Sequence, residues 1–80
     1  MNTENNTWSQ GLQQETRDAI SEMRINPDGK LYFKNKHKGH AYMSAQDLMS
    51  GKLSLTNIES GAAIEFADME ELLTAGWAVD

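Results

Sequence analysis

The sequence predicts an α+β fold: an N-terminal helix followed by two strand–strand–helix (ββα) units, with about four antiparallel strands and helices packed on the sheet. Three observations carry this. Apolar residues recur at helical spacing between Trp8 and Met23. The spacing then changes to two from Lys30 onward. Finally, one pattern (aromatic, cap, acid, two apolar residues, hydroxyl, glycine) occurs at Tyr42–Gly51 and again at Phe66–Gly76.

Residues 1–7 are Asn- and Thr-rich without apolar periodicity and read as a mobile tail, leaving 8–80 as a single domain. Trp8, Leu12, Ala19, Ile20 and Met23 then share a helix face. Ser9 is the expected N-cap, and Asn26-Pro27 the expected stop, because the residue before proline is pushed out of the α region. Helix 1 is therefore expected from about Gly11 to Arg24. Asn26-Pro27-Asp28-Gly29 is turn chemistry, with proline fixing φ and glycine releasing the chain.

Lys30–Lys34 and His40–Met43 alternate polar with apolar, and Asn35–Gly39 lies between them as a basic loop. This is a hairpin signal. Ser44-Ala45-Gln46-Asp47 resembles a capping box with aspartate for glutamate, Ala45, Leu48 and Met49 supply an apolar face, and Gly51 ends that helix. Leu53 and Leu55, then Ala62, Ile64 and Phe66, alternate in the second unit around a turn at Asn57–Gly61. Thr56–Glu59 is also a capping-box pattern, so a helical turn competes with the end of the third strand. Asp68–Glu71 caps the last helix, with Met69, Leu72 and Leu73 as its apolar face and Gly76 as its stop. The expected core is Leu12, Ile20, Met23, Leu31, Phe33, Met43, Leu48, Leu55, Ile64, Phe66, Leu72, Leu73 and Trp77, with Trp77 closing it beside the last helix.

At 80 residues the chain holds one small core. It has no cysteine, which removes disulfides, thiolate metal sites and cysteine nucleophiles together. Met1–Gln10 has neither a basic start nor an apolar run, and no stretch approaches the roughly 20 apolar residues of a membrane span. A cytoplasmic protein is the expectation.

The net charge of −5 hides a strong segregation. Residues 1–29 hold five acids and two arginines, giving −3. Residues 30–52 hold Lys30, Lys34, Lys36, Lys38 and Lys52 against Asp47 alone, giving +4. Residues 53–80 hold six acids and no base, giving −6. Such asymmetry bears on partners and association.

If the hairpin closes over Asn35–Gly39, Lys34 faces His40 and Tyr32 faces Tyr42 on one surface, with Lys30 beside them and Lys36, His37 and Lys38 at the tip. Rings with lysines around them suit a partner surface and resemble the stacking platform of single-strand nucleic-acid binders. The absence of arginine there and the acidic remainder of the chain weigh against nucleic acid. A cross-strand tyrosine pair also stabilises a hairpin without any ligand. Two histidines with no nearby acid at ligand spacing are too few for a metal.

Glu59, Glu65, Glu70 and Glu71 form the candidate acidic surface, although acids in a first helical turn are also favoured by capping and the helix dipole. No nucleophile elbow, phosphate loop or metalloprotease motif is present. The expected function is therefore a non-catalytic interaction module without cofactor or metal. It would bind a protein partner, or itself as a homodimer, through basic (30–52) and acidic (53–80) surfaces. Single-stranded nucleic-acid binding through residues 30–42 is the alternative.

Overall fold

The computed structural model describes residues 8–80, so the tail expected over 1–7 lies outside the described residues. Helix α1 spans Gln10–Ser21, followed by strands β1 (Lys30–Asn35) and β2 (Gly39–Ser44) and helix α2 (Ala45–Met49). Strands β3 (Leu53–Asn57) and β4 (Ala63–Phe66), helix α3 (Met69–Thr74) and strand β5 (Trp77–Val79) complete the chain. The fold is α+β, with one antiparallel sheet in the order β4-β3-β2-β1-β5.

The sheet has five strands where about four were expected. The added strand is Trp77–Val79, which pairs beside β1 with Phe33 opposite Val79 and Asn35 opposite Trp77. Trp77 is buried as expected, but it reaches the core from a strand. Three residues gave too short a run for period two to register. The indole N–H of Trp77 is buried with no hydrogen-bond partner among the described residues, a cost of about 1–3 kcal/mol.

Both ββα units start and stop their helices as the sequence implied. Ser44 Oγ accepts the Asp47 N–H at 3.1 Å, and Asp68 Oδ1 accepts the Glu71 N–H at 2.9 Å. Glu71 in return accepts the Ala67 N–H at 2.7 Å. After α2 the Gly51 N–H bonds to the Leu48 carbonyl and the Lys52 N–H to that of Asp47. This is a Schellman closure with glycine at φ 76°.

Helix α1 closes in the same way but three residues earlier than expected. Met23 N–H bonds to Ile20 O and Arg24 N–H to Ala19 O, with Met23 itself at φ 54°. A left-handed residue costs a non-glycine about 1–2 kcal/mol, and the turn throws Met23 off the apolar face. It is 40% exposed rather than in the core. Pro27 therefore follows a helix that has already ended.

The core joins Ala19 and Ile20 of α1, Leu31 and Phe33 of β1, Ala41 and Met43 of β2, and Leu55 of β3. Phe66, Leu48, Leu72, Leu73 and Trp77 complete it. Leu12 is only half-buried. Ile64 is 42% exposed because β4 is an edge strand with nothing beyond it in the sheet. Met49, the last residue of α2, is 67% exposed, whereas Leu48 beside it is buried.

All three helices feed one core, on one face of the sheet. Helix α1 also closes the β5 edge. The Thr16 hydroxyl, wholly buried, accepts the Val79 N–H at 2.9 Å and donates to the Leu12 carbonyl at 2.8 Å. The Trp8 indole N–H caps the Gly76 carbonyl at 2.8 Å.

Candidate functional site

The opposite sheet face carries the residues that the alternation of β1 and β2 turns away from the core. Lys30 pairs with Ser44, Tyr32 with Tyr42 and Lys34 with His40, the register expected from sequence. The strands run one residue further than expected on each side, so the tip is Lys36, His37 and Lys38. Asn35 Oδ1 holds that tip by accepting the His37 and Lys38 N–H groups at 2.9 and 3.1 Å.

Ladder parity fixes how close these pairs stand. The Ile58 N–H donates to the His40 carbonyl, so the peptide groups of His40 and Tyr42 face β3. Tyr32–Tyr42 and Lys34–His40 are consequently non-hydrogen-bonded pairs, in which Cα atoms approach to about 4.5 Å and side chains are nearest.

The tyrosines are half-buried by their neighbours. Lys30 Nζ stands 4.7 Å from the centre of the Tyr42 ring, a cation–π contact. Lys34 and Lys36 hold their ammonium groups 5.1 and 4.7 Å from the Trp8 ring. The Tyr32 hydroxyl donates to Asp28. That bond holds the Asp28 carboxyl below the usual carboxylate range and pushes the Tyr32 phenol up, since it favours carboxylate and phenol together.

His40 and His37 are exposed, and His40 Nε2 lies 3.9 Å from Asp80 Oδ2. Among the described residues no group of three or more His, Cys, Asp or Glu is placed to hold a metal ion. No helix among them is long and apolar enough to cross a membrane.

The four candidate acids do not form one patch. Glu70 pairs with Arg17, and Glu71 is taken up in capping α3. Glu59 sits in the β3–β4 turn, where Asn57 Oδ1 accepts its N–H at 2.9 Å. That turn, with β3 extending through Asn57, decides against the competing helical reading. The Glu59 carboxylate reaches the basic hairpin, so that a Cβ on Gly39 would stand 3.3 Å from its Oε1. Glu65 alone projects from β4, on the same sheet face as the tyrosines.

The remaining ion pairs leave most lysines out. Arg24 pairs with Glu15 at 3.3 Å and Glu22 at 2.7 Å. Lys30, Lys34, Lys38 and Lys52 have no carboxylate partner among the described residues. Three residues at this surface escaped sequence reasoning. Asp28 was legible in principle, four residues before Tyr32 across a turn. Trp8 and Asp80 arrive only because α1 and β5 flank β1.

A groove of about 320 Å³ opens between α1 and the first half of β1, lined by Leu12, Ala19 and Leu31 and by Glu15 and Arg24. No serine, threonine or histidine lines it, and its arginine is already held by two glutamates. No protein-family model, curated protein or solved structure matches the chain.

Proposed function

We propose that the chain is a small, non-catalytic interaction module of the cytoplasm that binds a protein partner through its segregated basic and acidic surfaces. The β1–β2 face is its principal contact, and the partner there is acidic. The observation that carries this is the set of lysines without carboxylates (Lys30, Lys34 and Lys38) around a cross-strand tyrosine pair, on the strand faces that alternation turns away from the core. Among the described residues, Glu70 and Asp80 pair with Arg17 and His40, and Lys30, Lys34, Lys38 and Lys52 are in no ion pair. A lysine-rich patch speeds encounter with an acidic surface and fixes its orientation, and tyrosine supplies contact area at low entropic cost.

Self-association is a version of the same reading, with the basic segment of one copy meeting the acidic segment of another. It predicts a mass near twice 9.0 kDa that falls toward the monomer as salt rises. Single-stranded nucleic acid is the second reading, favoured by the in-register tyrosines among lysines. It is disfavoured by the Asp28 and Asp80 carboxylates on the same surface and by Lys30 already lying on the Tyr42 ring.

Immobilised full chain and a Lys30→Glu/Lys34→Glu/Lys38→Glu variant, each exposed to nuclease-treated and untreated extract, separate these readings. The expected result is protein retained by the wild type only, regardless of nuclease. Retention that nuclease abolishes, and that Tyr32→Ala weakens, replaces the protein reading with the nucleic-acid one. Equal retention by the lysine variant contradicts the role of this face.

A further inference from the structure

The two edges of the sheet differ. The outward N–H of β5 at Val79 is taken by Thr16, and the β5 strand lies against α1. Strand β4 has no neighbour beyond it among the described residues, and Ala63, Ile64 and Glu65 are all exposed. Its ladder parity follows from one bond: the Asn57 N–H donates to the Ala62 carbonyl at 2.8 Å. Alternation then makes Leu55–Ile64 and Leu53–Phe66 the hydrogen-bonded pairs with β3. The N–H and C=O groups of Ala63 and Glu65 therefore point away from the sheet, in plane, toward a missing strand.

Exposed edges are normally blunted by shortness, a charge (lysine above all), proline, a bulge or a covering element, and β4 has only its four-residue length and Glu65. Residues 62–66 (Ala-Ala-Ile-Glu-Phe) hold no lysine or proline, and the β3–β4 register is unbroken.

We infer that β4 is a strand-addition site for an extended, lysine- or arginine-bearing segment of a protein partner, which pairs with Ala63 and Glu65 as a sixth strand. The charge selects this occupant. Glu65 is the one charge on β4 and is in no ion pair among the described residues, so it attracts a basic side chain on the added strand. The β4 of a second copy brings another Glu65 and no base, which opposes pairing.

The alternation of the sheet sets the pattern the segment must carry. Residues on one of its faces lie beside the half-exposed Ile64 and want to be apolar. Residues on the other lie beside Glu65 and want to be basic. This rests on reading the chain as a protein-binding module, but it uses the β4 edge of the sheet and not the lysines and tyrosines of β1 and β2.

The probe is a fluorescently labelled eight-residue peptide alternating lysine and valine, titrated with the full chain. Saturable binding is expected, together with slowed hydrogen exchange at the Ala63 and Glu65 amides in the complex. Ala63→Pro removes one outward donor while leaving the β3–β4 ladder and the charge intact. It should weaken binding by about tenfold, the loss of one hydrogen bond. Glu65→Lys should weaken it by at least as much, and serves if the proline variant fails to fold.

The Lys30→Glu/Lys34→Glu/Lys38→Glu variant should bind no more weakly than the wild type. A loss of binding there, with β4 substitutions silent, would place the contact on β1 and β2 and overturn the inference. So would an absence of binding to the wild type, or binding by both β4 variants as tight as that of the wild type. A peptide-independent dimer that Ala63→Pro dissociates would assign the edge to a second copy instead.

Discussion

The two ββα units use the same local chemistry and end in different positions. Each has a polar N-cap accepting the N–H three residues on, a short helix supplying leucine to the core, and a glycine in the left-handed region after it. The first unit lies at the centre of the sheet, flanked by β5 on one side and β3 on the other. Its strands are six residues long and its apolar positions are sealed. The second unit ends the sheet with a four-residue strand whose first three residues are exposed.

Charge follows the same division. The central unit carries Lys30, Lys34 and Lys38, which are in no ion pair among the described residues, and the outer unit carries Glu59, Glu65, Asp68, Glu70 and Glu71. Two units with one local pattern thus differ in what they expose, and their position in the sheet makes the difference.

The largest test of this contrast is in the core. Phe33, at 0% exposure on β1, should lose about 3–5 kcal/mol on truncation to alanine, whereas Ile64→Ala on β4 should lose less than about 1 kcal/mol. Urea unfolding of the two variants measures both, and similar losses would break the distinction between a sealed unit and an open one.

Next is the closure of the β5 edge. Thr16→Val leaves the Val79 N–H without its acceptor and should cost about 1–3 kcal/mol, with faster amide exchange at Val79. No change in either would mean that α1 does not seal that edge.

The smallest effect concerns the Asp28–Tyr32 bond. The raised Tyr32 phenol contributes stability below its unfolded value, about 10, and loses it as pH rises through the folded value. The lowered Asp28 carboxyl contributes above its unfolded value, about 3.9, and loses it as pH falls through the folded one. Asp28→Asn should flatten both limbs. Followed by tyrosine absorbance in a Tyr42→Phe background, the Tyr32 ionisation should move down toward its ordinary value.

Much of this was legible from residue order because it is set by local rules. Alternation in Lys30–Lys34 and His40–Met43, with the basic loop between, was sufficient to place Tyr32 opposite Tyr42 and Lys34 opposite His40. The caps at Ser9, Ser44 and Asp68 needed only their neighbours three residues away.

What failed was long-range. Trp77–Val79 has no period of its own and becomes a strand only because β1 offers it a ladder. Ile64 has the spacing of a core residue, and its exposure depends on which strand ends the sheet. Met23 sits at the position that glycine fills in the other two helices, so its departure from the apolar face had no compositional signal. The acids misled for a related reason, since counting charges does not reveal that Arg17 and the α3 cap engage Glu70 and Glu71.

The proposed contacts divide one sheet between an acidic partner at the lysines of β1 and β2 and a basic partner at the β4 edge. Amide chemical-shift mapping of the full chain tests this division directly, first with an eight-residue peptide alternating glutamate and valine, then with its lysine counterpart. The account predicts that the acidic peptide shifts residues 30–42 and the basic one shifts 62–66, with little overlap. Perturbation of the same residues by both peptides, or of neither region by its expected partner, would contradict it.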